Sequence, residues 1–399
     1  MSKPSKLFST TDLDHGEHAE RDELIRLAYM AIESSSRLQD AQCDAVLSEL
    51  CSKALAAGDD SDIEAALSEL KNDDTPAYDE LLAMSEDCAQ VYRDASGTHI
   101  LFLIPILAWS RYHIPQGKLS DAVLEQLAAC YKSHYCAETA RVTIGDSLIA
   151  AEHIPERLSQ VQDLLKHLVE NGGKHDAIVS VAHLLKEATV PDFADSRYIA
   201  LCVSSKNEAD LFPSLSHGYF DRARSHMRFC LQAKRILELS LLGSVFDVQP
   251  PAAFFTAWRQ GETAMRVYAL KALVDFVGCM GYGPFELIAT TGIFQRAIES
   301  DSEPNTEIRI GIAPLNNPST IIAGVVWPCM TEDVEGTQQF AGEVLASCDV
   351  TRIAALEQTF TMEWCEDCGA PLYANKDGLV THIEVPEEVN ADSFAPTLN

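Results

Sequence analysis

The apolar positions along this chain change period once, near residue 97. From Arg21 onward Leu24, Leu27 and Ala31 fall on one helical face, as do Val46, Leu47, Leu50 and Ala54, which is the spacing of amphipathic helices. Ser61-Asp-Ile-Glu64 reads as a capping box ahead of Ile63, Ala66, Leu67 and Leu70. Thr75-Pro76 supplies a cap and an N1 proline before Tyr78, Leu81 and Leu82. Residues 21–95 therefore predict four short helices, and the unpatterned polar stretch 1–20 predicts a flexible tail.

Beyond Gly97, β-rich runs alternate with helix-length amphipathic ones, as in a sheet covered by helices. Strands are predicted over 99–109, 140–145, 197–204, 243–248, 306–313, 319–327 and 350–356. Helices are predicted over 119–137, 157–171, 217–241, 252–279, 284–299 and 333–347. Pro105 inside the first strand calls for a bulge or an edge position, and Asn316-Asn317-Pro318 turns 306–327 into an antiparallel hairpin. Strand 243–248, helix 252–279, the hairpin, helix 333–347 and strand 350–356 run in ferredoxin-like β-α-β-β-α-β order, with 284–299 as an inserted helix. The fold expected is mixed α/β (α+β). Its parts are a flexible tail 1–20, a helical module 21–95, a first α/β lobe 96–241, a second 242–358, and a short metal-knuckle tail 359–399.

Charge sharpens this division. The 399 residues carry 60 acidic and 30 basic side chains, a formal charge of −30. Residues 1–100 hold 22 acidic and 8 basic groups, 331–399 hold 14 and 2, and 101–330 hold 24 and 20. Such a field repels nucleic-acid phosphates and anionic lipid, so neither nucleic acid nor membrane is expected as a partner. A site for a small anionic ligand belongs in the balanced middle, 101–330. Twelve cysteines lie mostly in apolar contexts such as Ala-Leu-Cys202-Val, as small buried hydrophobes do. No apolar leader follows the first lysine, and the run Ile100 to Trp109 falls short of the ~20 residues that span a bilayer. A cytoplasmic protein is expected.

Specific chemistry is concentrated near the C-terminus. Cys365-Glu-Asp-Cys368-Gly369 places two thiols three positions apart, and His382 follows across a hairpin turning at Asn375-Lys-Asp-Gly378. Two soft ligands and an imidazole suit structural zinc, with the fourth ligand from Cys348, Glu384 or a second subunit. A redox pair would need a depressed thiol pKa, which Glu366 and Asp367 oppose, and incidental surface thiols are the third reading. With too few apolar residues to order itself, the 365–382 hairpin is expected to depend on the metal.

Other constellations are less specific. Ser110, Arg111 and His113 leave the end of an apolar strand, where α/β sheets bind ligands. Arg111 and Tyr112 bracing the loop by hydrogen bonds is the plainer reading. Arg259, Glu262 and Arg266 share a helix face and form either an anion clamp or a salt-bridge ladder. His217, Asp221, Arg224 and Arg228 make a similar stripe. Gly278-Cys-Met-Gly281-Tyr-Gly283-Pro284 and Asn171-Gly-Gly-Lys174 have neither dinucleotide nor P-loop spacing and read as helix ends.

Three stretches together resemble a proteobacterial family described as a domain of unknown function. They are Ile104-Pro-Ile-Leu-Ala-Trp109-Ser-Arg111-Tyr112-His-Ile114-Pro115-Gln-Gly117, Ile322-Ala-Gly324-Val-Val-Trp327-Pro328, and Cys365-Glu-Asp-Cys368-Gly369-Ala-Pro371-Leu372 on to His382. The resemblance spans most of the chain from about residue 20. It implies no activity, substrate or cofactor. Cys329 stands where that family carries an apolar residue, which makes it a poor shared ligand. Function is read as a non-catalytic binding or regulatory protein with a zinc knuckle, its N-terminal helices and tail engaging a protein partner. The alternative is an enzyme acting on a small anionic metabolite at loop 109–117, held by Arg111, His113, Arg259 and Arg266.

Overall fold

Apolar stripes on four successive helices close on one another at the start of the chain: α1 (Ala19–Ile32), α2 (Arg37–Ala56), α3 (Ser61–Asp73) and α4 (Thr75–Gln90). Leu24, Leu27, Leu47, Leu55, Ile63, Leu70 and Leu81 meet in one buried cluster. The structure, a computed structural model, describes residues 19–110, 114–173, 175–185, 194–211, 222–296, 306–329 and 333–384. The expected capping box at Ser61 does not form, because the cap falls on Asp60. Its buried carboxylate accepts Ser159 N at 3.0 Å and pairs with Arg157, tying the module to the chain that follows. Asp74 caps α4 by accepting Ala77 N at 3.1 Å, one residue before the expected Thr75.

The first sheet is built from β1 (Val91–Asp94), β2 (Gly97–Trp109), β3 (Gly117–Lys118), β4 (Arg141–Gly145), β5 (Ser147–Ala150), β6 (Ala177–Val179), β7 (Ala194–Ser205), β8 (Val245–Val248) and β9 (Ala252–Ala253). Its main path runs β1-β2-β7-β4-β6. The long antiparallel pair β2/β7 forms its spine, in register from Thr98 opposite Ser205 to Trp109 opposite Ala194. Side chains alternate between the two faces. Leu101, Leu103, Ala200 and Cys202 face the helical module and α6 (Leu158–Gly172). Ile104, Ile106, Leu201 and Val203 face α5 (Asp121–Tyr135) and α7 (Arg222–Leu237).

Pro105 shows how the sheet tolerates a residue without an N–H. It pairs with Tyr198 of β7, and its carbonyl on the other side accepts Gln249 N at 2.8 Å. On that side β8 ends with Val248 opposite Ile106 and β9 begins with Ala252 opposite Leu103. The missing donor therefore points into a gap between two short strands, an edge position within an otherwise central strand.

A second sheet contains β10 (Leu287–Gln295), β11 (Thr306–Pro314), β12 (Ala323–Pro328) and β13 (Ile353–Thr361) in the order β12-β11-β10-β13. β10 is parallel to β13 and antiparallel to β11. α8 (Phe254–Cys279) and α9 (Val334–Ser347) cover one face, where Leu273, Val277, Ile310, Ile312, Trp327 and Leu345 are buried together. Two expectations are corrected here. Residues 284–299 hold strand β10, because Leu287-Ile-Ala-Thr-Thr-Gly-Ile-Phe is β-branched and largely buried on both faces, which erases the alternation that marks a strand. Strand 243–248 is β8, which pairs with β2 in the first sheet. The second lobe thus runs α-β-β-β-α-β and is not ferredoxin-like. Its hairpin β11/β12 is antiparallel, as the Asn316-Asn317-Pro318 turn predicts.

The tail lies against the opposite face of the second sheet. β14 (Tyr373–Ala374) pairs with β15 (Val380–Thr381), and Tyr373 and Ala374 are buried. Among the described residues no helix is long and apolar enough to cross a membrane.

Candidate metal centre

Backbone geometry prepares the turn that carries the two thiols. Cys365 N donates to Ala370 O and Gly369 N donates to Cys365 O, each at 2.8 Å. Gly369 has φ +71°, a conformation glycine adopts without steric cost. Across the hairpin, Asn375 is buried, and its Oδ1 accepts Asp377 N and Leu379 N at 3.0 Å each, which turns the chain back toward His382. Cys365 Sγ, Cys368 Sγ and an imidazole nitrogen of His382 lie within 4.8 Å of one another. Nδ1 of His382 is 2.6 Å from Ile383 O and donates to it, which leaves the Nε2 lone pair facing Cys368 Sγ at 3.1 Å.

These donors fit zinc. A tetrahedral ion about 2.3 Å from sulfur and about 2.0 Å from nitrogen requires donors about 3.5–3.8 Å apart. The 3.1 Å between Cys368 and His382 and the 4.8 Å bound on the other separations bracket that spacing. A backbone carbonyl that holds the distal ring nitrogen is the usual outer support of a histidine ligand. The nominated fourth ligands do not join the group. Cys348 caps α9 and lines a surface groove with Lys271, Asp275 and Asp349. Glu384 lies outside the cluster, with its backbone N donating to Ile321 O at 2.8 Å. Among the described residues three side chains form the site, and Cys368 and His382 are exposed.

What holds the turn in place is a residue that local spacing does not reveal. Arg309 of β11 is fully buried, and its Nη1 donates to Glu363 O and Leu372 O at 2.6 Å each. Its Nε donates to Glu307 Oε1 at 2.6 Å. The guanidinium lies 4.5 Å from the Phe294 ring centroid and 5.2 Å from that of Trp364. Arg309 therefore clamps the two chain segments that flank the thiol turn onto the second sheet. The tail is better docked than its apolar content suggests. Asn375 Nδ2 donates to Ser319 O at 3.1 Å, and the Tyr373 ring packs so closely on Gly324 that a Cβ there would lie 2.5 Å from it. The part left for a metal to order is the turn 365–369 and His382 alone.

The other candidates scatter. Ser110 Oγ donates to Gly243 O at 3.2 Å, while Arg111, Tyr112 and His113 lie outside the described residues, as do His217, Asp221 and Lys174. Arg259 pairs with Glu86 of α4, and Arg266 donates to Pro328 O of β12. Glu262 accepts Tyr198 OH at 2.7 Å. The Arg-Glu-Arg face thus reaches three different elements, with Arg259 and Arg266 already bonded. Gly172 and Gly173 close α6, the latter at φ +67°, and Gly278 ends α8, as helix ends should.

Around Tyr198 the structure gathers groups that sequence reasoning did not connect. Burial raises the pKa of both Asp195 and Glu262, against the opposing pull of Arg197 on Asp195 and of the Tyr198 hydrogen bond on Glu262. Arg197 is buried, pairs with Asp195 and donates to Pro115 O at 3.1 Å and Ile114 O at 3.2 Å. The only signal in the sequence was Glu262, and its partner lies 64 residues away.

The chain belongs to the family described as protein of unknown function (DUF2863), whose model matches residues 11–395. That span contains both sheets and the Cys365/Cys368/His382 cluster, so the knuckle lies within the family's own length. No curated protein and no solved structure matches the chain.

Proposed function

We propose that this is a non-catalytic binding or regulatory protein of the cytoplasm whose C-terminal turn is closed by one structural zinc ion. One observation carries the reading. His382 is oriented by the carbonyl of Ile383 so that Nε2, with Cys365 and Cys368, offers two sulfurs and one nitrogen at a surface turn already clamped by Arg309. Zinc there would cross-link the two arms of the hairpin and order the thiol turn. Twelve free cysteines support a reducing compartment. Elemental analysis with native mass spectrometry tests the site. One zinc per chain is expected, lost in Cys365→Ser/Cys368→Ser. Full zinc in that double variant, or none in protein purified without chelator, would overturn it.

A second reading, an enzyme acting on a small anionic metabolite, draws support from two half-buried carboxyls beside Tyr198 where β7 meets Pro115. Carboxyls whose pKa is raised by burial beside a tyrosine are candidate acid–base groups. Its test is ligand-induced stabilisation against a panel of small carboxylates and phosphates, abolished in Glu262→Gln and unaffected in Cys365→Ser.

A further inference from the structure

α7 contradicts the charge of the rest of the molecule. Its sixteen residues, Arg222 to Leu237, contain five basic side chains and no acidic one, within a chain of net charge −30. The inner stripe Phe229, Ala233 and Leu237 is buried against α5 and the first sheet. Half a turn round the helix, Met227, Arg228, Leu231 and Arg235 follow one another at helical spacing, all exposed. Met227 and Leu231 are each 58% exposed, and in the turn that follows the helix Leu239 is 78% and Leu242 71% exposed. Arg228 and Arg235 form no ion pair among the described residues, whereas Lys234 on the flank pairs with Asp247 at 2.6 Å. Exposed Met227 and Leu231 interleaved with Arg228 and Arg235, which form no ion pair among the described residues, mark an interaction surface, since isolated surface apolar residues do not line up in this way.

We infer that the outward face of α7 is a docking site for a short acidic amphipathic helix of a partner protein. The inference deepens the binding reading above by naming the surface and the class of partner. Charge complementarity sets the sign, and the four-residue spacing of Met227 and Leu231 sets the form, because it matches the ridge of another helix. The size of the patch decides among acidic partners. At about 1.5 Å per residue α7 is about 24 Å long, and charges beyond the ~10 Å Debye length are screened at ~0.1 M salt. A short helix meets mainly the local positive face. A DNA duplex or an anionic bilayer extends past it into the acid-rich remainder and is repelled.

A second copy of this chain is the main competitor, because α1 to α4 are acidic. Those helices cover the face of the first sheet opposite the one covered by α7. Docking the module of one copy on α7 of the next would leave a free surface at each end, a head-to-tail contact that does not close into a dimer.

The probe is a fluorescein-labelled, 21-residue peptide of Leu and Glu in heptads, followed by anisotropy with the full-length protein, beside a Leu and Lys peptide of the same length. Saturable binding of the acidic peptide is expected, about tenfold weaker in Met227→Ser/Leu231→Ser and in Arg228→Ser/Arg235→Ser. Arg228→Glu/Arg235→Glu should reverse the preference toward the basic peptide, a gain that unfolding cannot mimic. Equal binding by wild type and all variants would overturn the inference. So would tighter binding to phosphatidylserine vesicles, to duplex DNA or to a peptide of residues 385–399, or concentration-dependent self-association that Leu231→Ser abolishes. Zinc content is measured on every sample. Variants that lose the peptide but keep zinc leave the metal site standing, and a wild type that binds the peptide without zinc refutes the metal site alone.

Discussion

At the scale of single residues, Arg309 and Asp94 are two charged groups whose partners make testable demands. Arg309 is buried with Glu307 beside it and two carbonyls of the tail on its Nη1. Arg309→Met leaves the Glu307 carboxylate without its partner, and loss of one member of a buried pair costs about 3–5 kcal/mol. A fall of about that size is expected in urea denaturation, together with weaker zinc retention. Unchanged stability would show that Arg309 is not the clamp described. Asp94 sits in the β1/β2 turn, where the Ser96 hydroxyl first and His99 second draw its pKa down to about 2 from the ordinary 3.8. A folded pKa below the unfolded one gives stability that is present above the unfolded value and lost as pH falls through the folded value. The urea midpoint of wild type should therefore drop between about pH 4 and pH 2, and Asp94→Asn should lessen that drop. Identical slopes in the two proteins would refute the assignment.

At the scale of elements, the tail is held by shape as much as by charge. A Cβ on Gly324 would lie 2.5 Å from the Tyr373 ring, so Gly324→Ala must displace that ring or bend β12. A cost of about 1–3 kcal/mol is expected from such overpacking, with faster proteolysis near 360–384. An unaltered cleavage pattern would mean that Tyr373 does not anchor the hairpin. Most elements were legible because their signals are local. Helix 252–279 and strand 99–109 announce themselves by period, and the thiol turn by Cys-x-x-Cys-Gly. β10 was misread because burial on both faces removed its alternation. Arg309 was invisible for another reason, since the tail carbonyls it holds lie 54 and 63 residues away and no spacing rule joins them. The Pro105 gap, by contrast, was half legible: the proline announces an edge, and only the sheet shows that the edge lies between β9 and β8.

At the scale of the whole molecule, net charge and a small metal site make separable claims. With −30 on the chain, no binding to duplex DNA is expected at ~150 mM salt, where phosphate contacts are already weakened. Sub-micromolar retention in a filter assay would contradict that. Zinc at the knuckle would add a cross-link to a hairpin already docked on the second sheet, so a chelator should loosen the 365–369 turn and leave both sheets intact. Amide exchange with and without chelator reports this, and a collapse of the main thermal transition on metal removal would refute it. The central claim concerns the ligand set itself, and X-ray absorption at the zinc edge of the purified protein reads it most directly. Two sulfur scatterers at about 2.3 Å and one imidazole at about 2.0 Å, with a light atom in the fourth position, are predicted. A shell of oxygen and nitrogen alone, or four sulfurs, would contradict a centre built from Cys365, Cys368 and His382.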